Sequence, residues 1–153
     1  MTLAEMYAKA EKIAKAWQAD AVPARLTNTS MGPLDEKGKS EAWNLMFYSK
    51  STNSNVTIQT FRGMFTCYAQ PGEAGRIPAL KPDFFRDSAK LYAIAKEKGA
   101  NFLAQGYVVS VGTAAAPNTN HATWNIQYSK PDGASAPRLV LVDANTGAVE
   151  KVI

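Results

Sequence analysis

The chain has 153 residues, of which 46% are hydrophobic and 20% charged, and this composition is typical of a globular protein with no bilayer-spanning run. Its 17 basic and 13 acidic residues give a net charge of +4, but the lysines are scattered, so a nucleic-acid-binding stripe is not expected. The first residues carry no secretory signal. We therefore expect a periplasmic or extracellular location if a signal peptide is removed before Met1, and a cytoplasmic one otherwise.

A first helix is predicted at the amino terminus. Thr2 and Glu5 have the spacing of a capping box, and Pro23 requires the helix to end at or before Val22. Apolar residues recur every three or four positions over four turns, which predicts one buried stripe. This stripe comprises Leu3, Met6, Tyr7, Ala10, Ile13, Ala14 and Trp17.

Three strands are predicted in the first half of the chain, because apolar and polar residues alternate there between turn signals. They cover residues 43–48, 55–61 and 64–69, after an exposed loop over residues 32–40. The only cysteine, Cys67, falls in the third of these strands, where a free thiol is expected to be a small, buried core residue.

A second helix is predicted after a connector that is rich in Pro and Gly. Asp83 is its predicted N-cap, and Gly99 is the predicted terminator after Lys98. An exposed loop is predicted over residues 112–120. Four further strands are predicted at residues 107–111, 124–128, 138–142 and 148–152.

The two halves of the chain are similar in sequence. Trp43-Asn44 recurs 81 residues later (43 to 124) as Trp124-Asn125, with a Ser-Lys pair behind each strand, and the same offset aligns Ile13 with Ile94. This predicts an α+β fold of two tandem repeats, each with one helix followed by an antiparallel sheet of about four strands. The predicted organisation is a first repeat at residues 1–70, a connector at 71–82 and a second repeat at 83–153.

The second half resembles the PepSY family. Residues 122–128, ATWNIQY, and residues 139–149, LVLVDANTGAV, match its strand with Trp or Tyr and its final hairpin, and the turn from Asp143 to Gly147 is the most specific part. The first half is a degenerate version, because residues 60–63, TFRG, replace the aspartate-containing turn. PepSY domains are cystatin-like, usually extracytoplasmic modules for which a role in restraining or binding proteases has been proposed. The resemblance implies a non-catalytic binding module.

Candidates for catalysis are few. His121, the only histidine, lies at the end of a polar loop, and Asp143 lies in a turn whose backbone amides it is expected to bind. Neither residue has the spacing of a metal site, no carboxylates are expected to converge in a cleft, and no nucleotide-binding motif or nucleophile elbow is present. We predict no enzymatic activity, no metal and no cofactor, with His121 and Asp143 as secondary candidates for a site.

Aromatic residues and methionines supply the main candidate surface. Trp43 and Trp124 occupy equivalent strand positions and are expected to be core residues rather than exposed anchors. On the opposite side of the first-half strands, apolar residues stand where the second half carries Gln127 and Ser129, so the second half, a second copy or a partner must cover them. The candidate protein-binding surface comprises Met46, Tyr48, Phe61, Met64, Phe65 and Tyr68.

The function predicted from the sequence is binding of another, unidentified protein, for example to restrain a protease or to serve an extracytoplasmic assembly. One alternative is a small-molecule binder or enzyme in which a curved sheet closes over its helix, as in ketosteroid-isomerase-like cones. Another is a structural subunit of a larger assembly. A pocket that holds His121 or a buried carboxylate would favour the cone, whereas a filled core would favour the binding module.

Overall fold

The computed structural model describes residues 1–115 and 119–153, which form an α+β fold of two helices and eight strands. In chain order these elements are α1 (Leu3–Trp17), β1 (Val22–Asn28), β2 (Trp43–Ser49), β3 (Ser54–Phe61), β4 (Met64–Pro71), α2 (Ser88–Ala104), β5 (Val108–Ala115), β6 (Ala122–Ser129), β7 (Ser135–Asp143) and β8 (Val149–Val152).

All eight strands belong to a single antiparallel sheet with the order β4-β3-β2-β1-β5-β6-β7-β8. The predicted fold class of two tandem repeats, each with a sheet of its own, is therefore wrong. The two halves are joined by β1, which pairs with both β2 and β5. The sequence pattern does not predict this strand, because Pro23 there indicates only the end of α1. In the structure Pro23 lies in β1 beside a bulge, a position at which a strand tolerates the missing N–H.

The junction between the two halves is held largely by side chains, and we call it the β1–β5 seam. Thr27 and Gly112 form the one Cα pair in register between these strands among the described residues. Beside that pair, the Thr113 hydroxyl accepts a hydrogen bond from the Leu26 N–H at 2.9 Å and donates one to the Leu26 carbonyl at 3.3 Å. A backbone N–H of β5 donates to the Asn28 side chain at 2.6 Å. Side-chain groups thus replace part of the usual ladder.

Both helices pack against the same side of the sheet. The predicted stripe of α1 is confirmed, with Ile13 and Trp17 partly buried at its end and the other members fully buried. The predicted capping box is present at its start. Trp43 and Trp124 are buried on this side, as predicted, and their indole N–H groups donate to backbone carbonyls at 2.9 and 2.8 Å. Neither helix is long and apolar enough to cross a membrane, within the residues that the structure describes.

The predicted bounds of α2 are wrong at both ends. Its N-cap is Asp87 instead of Asp83, and the helix continues through Gly99 to Ala104, with a local kink where φ is −143°. The kink follows from packing, because the Tyr128 hydroxyl donates to the carbonyl of Ala95 at 2.6 Å. A Cβ on residue 99 would lie 2.4 Å from the Tyr128 ring. Gly99 is required here for close packing rather than for ending the helix.

Two local predictions are also wrong. Cys67 is exposed, because β4 is an edge strand on which every residue is exposed. The loop predicted over residues 112–120 begins too early, since β5 continues to Ala115. Residues 116–118 of that predicted loop lie outside the described residues.

Candidate functional site

One face of the sheet carries no helix. The cross-strand pairs place Asn44, Thr27, Gly112 and Asn125 in one row across β2, β1, β5 and β6. The neighbours of these residues along each strand, such as Trp43, point to the other side, because successive side chains of a strand alternate between faces. We call the helix-free side the open face.

Three depressions on the open face share lining residues and therefore form one groove. The central depression, of about 220 Å³, lies at the β1–β5 seam. A second, of about 190 Å³, shares Arg25 and Thr27 with it, and a third, of about 580 Å³, shares Asn28, Ser110 and Gln127. We call the combined feature the open-face groove. Its other lining residues include Asn44, Met46, Thr57, Tyr68, Gly112, Ala114, Asn125, Ser129 and Lys130.

The side chains that form the floor of the groove are smallest at the β1–β5 seam. Gly112 contributes no side chain there, and a Cβ at this position would lie 3.1 Å from the methyl group of Thr27. The adjacent strand positions carry short or amide side chains, which supply hydrogen-bonding groups without filling the space. The sequence pattern did not indicate this site, because its polar residues come from five different strands and share a face only once β1 and β5 pair.

The electrostatics of the groove are positive. Arg25 is exposed at its centre and makes no hydrogen bond or ion pair with any described residue. Lys130 lies at one end, with its ammonium 4.8 Å from the centre of the Tyr107 ring. No Asp or Glu is among the described residues that line the three depressions. A carboxylate from another molecule would therefore find an unpaired guanidinium and no competing charge.

The structure divides the predicted protein-binding surface. Strand pairing puts Phe61 opposite Met64, and places Thr57 between Tyr68 and Met46, so all of these residues lie on the open face. Phe65 points to the opposite side, next to Cys67 in the alternation of β4. Two members of the surface, Met64 and Tyr68, are 68% and 45% exposed, which leaves them available to a partner.

Tyr48 is the member of the predicted surface that is buried. The guanidinium of Arg76, in the connector, stacks 4.3 Å from the centre of its ring, and its hydroxyl donates to Asn53 at 2.9 Å. Gly75 of the same connector lies beside the side chain of Met46. The second half does not cover this surface, because residues 83–153 extend the same sheet instead of packing on it.

A separate polar cluster forms where β6 begins and β7 ends. His121 Nε2 lies 2.6 and 2.7 Å from the two carboxylate oxygens of Glu150, and His121 Nδ1 lies 3.8 Å from Asp143. The other oxygen of Asp143 accepts hydrogen bonds from the backbone amides of Asn145 and Thr146 at 2.8 and 2.7 Å, as predicted for its own turn. The expectation that no carboxylates converge is wrong, because two of them meet at the only histidine.

Glu150 was not among the predicted site residues. The predicted turn at residues 143–147 indicates a hairpin, and a hairpin there brings Glu150 close to Asp143. The proximity of these two carboxylates could therefore have been predicted from the sequence. The approach of His121 depends on the pairing of Thr123 with Asp143, which only the register of β6 and β7 supplies.

Electrostatic coupling within this cluster favours its charged forms. The hydrogen bond that His121 donates to Glu150, the negative charge of Glu150 and that of Asp143 raise the pKa of His121 above its ordinary value. Burial alone would raise the pKa of Asp143, but the backbone hydrogen bonds of Thr146 and Asn145 and the nearby His121 together hold that pKa below its ordinary value. The ligand atoms lie within 4.8 Å of one another, close enough for a shared cation. The three side chains pair with one another, so the cluster is a surface ion pair.

The space between the helices and the sheet is filled. Tyr7 stacks on Phe47 at 5.7 Å and meets Phe84 edge-on at 5.0 Å, and Phe84 in turn contacts Trp124 at 6.3 Å. Within the described residues no Asp, Glu or His is buried. In the part of the chain that the structure describes, the core is thus filled and holds no buried carboxylate or imidazole, which a cone-shaped enzyme was expected to need.

Comparisons of the chain with models of protein families, with curated proteins and with solved structures each found no match. The resemblance of residues 83–153 to the PepSY family stays a prediction, and so does the extracytoplasmic location that it implies.

Proposed function

We propose that this protein is a binding module whose open-face groove binds an extended, acidic segment of another protein. The observation that carries the proposal is Arg25, which has no charged partner among the described residues and lies at the centre of a long groove whose described lining holds no carboxylate. The filled core supports a role in binding, because within the described residues it leaves no interior pocket of the kind that a cone-shaped enzyme uses. The groove lies instead on the outer face of the sheet, where a partner can reach it.

The dimensions of the groove fit a short stretch of extended chain. From Thr57 on β3 to Gln127 on β6, the groove crosses β2, β1 and β5, which amounts to four spacings between neighbouring strands. At about 4.8 Å a spacing this is roughly 19 Å. An extended segment rises about 3.3 Å per residue, so about six residues would span the distance.

The chemistry of the groove indicates how such a segment would be held. Backbone groups within the sheet already pair with neighbouring strands, so recognition relies on side chains. The amides of Asn44, Asn125 and Gln127 can donate to and accept from a peptide backbone, as each carries both kinds of group. Arg25 presents a planar fork of donors that matches a carboxylate bidentately. The net charge of +4 also attracts an acidic segment over longer distances.

The proposal is tested with a displayed library of random peptides selected on the immobilised protein. We expect the selected peptides to be enriched in Asp and Glu. Arg25→Glu should weaken their binding at least about tenfold, because a favourable charge pair becomes a repulsive one. Lys9→Glu is the matched control, since it makes the same charge change at an exposed position on α1 and leaves the groove unchanged.

Two results would contradict the proposal. One is selection of peptides without acidic residues, and the other is equal loss of affinity in Arg25→Glu and Lys9→Glu, which would mean that only the overall charge matters. Both variants alter exposed residues, so their circular dichroism spectra and urea midpoints should match those of the parent protein.

A further inference from the structure

The two edges of the sheet differ in how they are protected. The edge strand β8 has only four residues, includes Glu150 and Lys151, and is interrupted by a shift in register against β7. Short length, charge and irregular pairing all hinder the addition of another strand. The opposite edge, β4, has eight residues, every one of them exposed and none of them charged, and it pairs with β3 without a bulge. Its free side is open to a further strand.

The turn before β4 determines which backbone groups point outward. Arg62 and Gly63 have φ values of 48° and 82°, so the hairpin has a two-residue turn of the I′ kind. The pair that flanks such a turn exchanges hydrogen bonds, and the following pairs alternate. The N–H and C=O groups of Phe65, Cys67 and Ala69 therefore point away from β3. Pro71 falls in the same outward series, and its missing N–H removes no hydrogen bond to β3.

We infer that β4 is a self-association surface, on which a second copy of this chain adds its own β4 in antiparallel orientation with Cys67 at the two-fold axis. In this register Cys67 lies opposite its own counterpart, and Phe65 lies opposite Ala69 of the second copy. Each of these pairs exchanges two backbone hydrogen bonds, because all the groups concerned point outward. A two-fold axis requires one patch to be complementary to itself, and the outward series of β4 meets that requirement.

The side chains of β4 support a second copy as the occupant. Phe65 would face the small Ala69, and Tyr68 would face Thr66, so a large side chain meets a small one on each face of the extended sheet. No like charges are brought together, because β4 carries none. The interface is small, so the dimer should be weak and depend on concentration. Each copy carries a net charge of +4, so added salt should strengthen association by screening the repulsion.

Sedimentation velocity tests the inference on the full chain from about 10 μM to about 1 mM, a range suited to small interfaces. We expect a shift from monomer to dimer across this range. Ala69→Lys should raise the dissociation constant of the dimer at least about tenfold, because it places a charged side chain in the middle of the strand-to-strand interface. Val152→Lys is the matched control, since it adds the same charge to an exposed residue of the other edge and should leave the dimer intact.

Cross-linking gives a second measurement that does not depend on those variants. Cys67 is the only cysteine, so a short bismaleimide can link two chains only through this residue. We expect cross-linked dimer in the native protein and little in Ala69→Lys or in urea. A monomer at every concentration would overturn the inference, as would a dimer that Val152→Lys disrupts and Ala69→Lys does not. Arg25→Glu should dimerise like the parent protein, so this test is independent of the open-face groove.

Discussion

The β1–β5 seam provides the sharpest test of how the two halves are joined, and Thr113→Val is the perturbation of choice. Valine keeps the shape of threonine but removes the hydroxyl that binds the N–H and C=O of Leu26. Leu26 is fully buried, so water cannot replace the lost partner. Leaving a buried donor unsatisfied costs about 1–3 kcal/mol, and we expect a loss of about 2 kcal/mol in the free energy of unfolding.

Urea denaturation measures this loss, and Thr57→Val is the matched control. Thr57 is also buried, but its hydroxyl makes no hydrogen bond with a described residue, so the same change there should alter stability by less than about 0.5 kcal/mol. The Leu26 amide should also exchange its hydrogen faster in Thr113→Val. Equal effects of the two substitutions would refute the view that the Thr113 hydroxyl helps to hold the seam together.

Two further predictions concern other contacts. Gly99→Ala should destabilise the protein by about 1–3 kcal/mol in urea denaturation, because the new methyl group overlaps the buried Tyr128 ring; a gain of stability, as helix propensity alone implies, would contradict this packing. The raised pKa of His121 stabilises the folded state below the unfolded pKa of 6.5, and this contribution is lost as the pH rises through the folded pKa. The difference in melting temperature between the parent protein and His121→Ala should therefore be larger at about pH 6 than at about pH 9, and a difference independent of pH would show that the ion pair contributes nothing.

Local patterns predicted much of the secondary structure, because helix stripes and strand alternation are recorded in short stretches of sequence. The stripe of α1 and the burial of Trp43 and Trp124 are examples. The architecture was missed because it depends on β1, where Pro23 indicates the end of α1 and obscures the strand that contains it. Without that strand the two halves look like separate units, and with it they form one sheet.

The candidate sites show the same limit. The turn of Asp143 could be predicted because its hydrogen bonds are local, whereas the meeting of His121 with two carboxylates depends on strand register. The open-face groove could not be predicted at all, since its residues are ordinary polar strand positions in sequence. For Cys67 the local pattern gave the wrong prediction. A cysteine in an apolar strand is usually buried, but β4 lies at the edge of the sheet and Cys67 is therefore exposed.

The central claim, that the open face binds an acidic segment, is tested most directly by NMR titration of the isotope-labelled protein with an acidic peptide obtained from the displayed library. We expect the largest amide shifts in the row formed by Asn44, Thr27, Gly112 and Asn125, and a strong reduction of these shifts in Arg25→Glu. Shifts confined to α1 and α2, or shifts in this row that persist unchanged in Arg25→Glu, would contradict the claim.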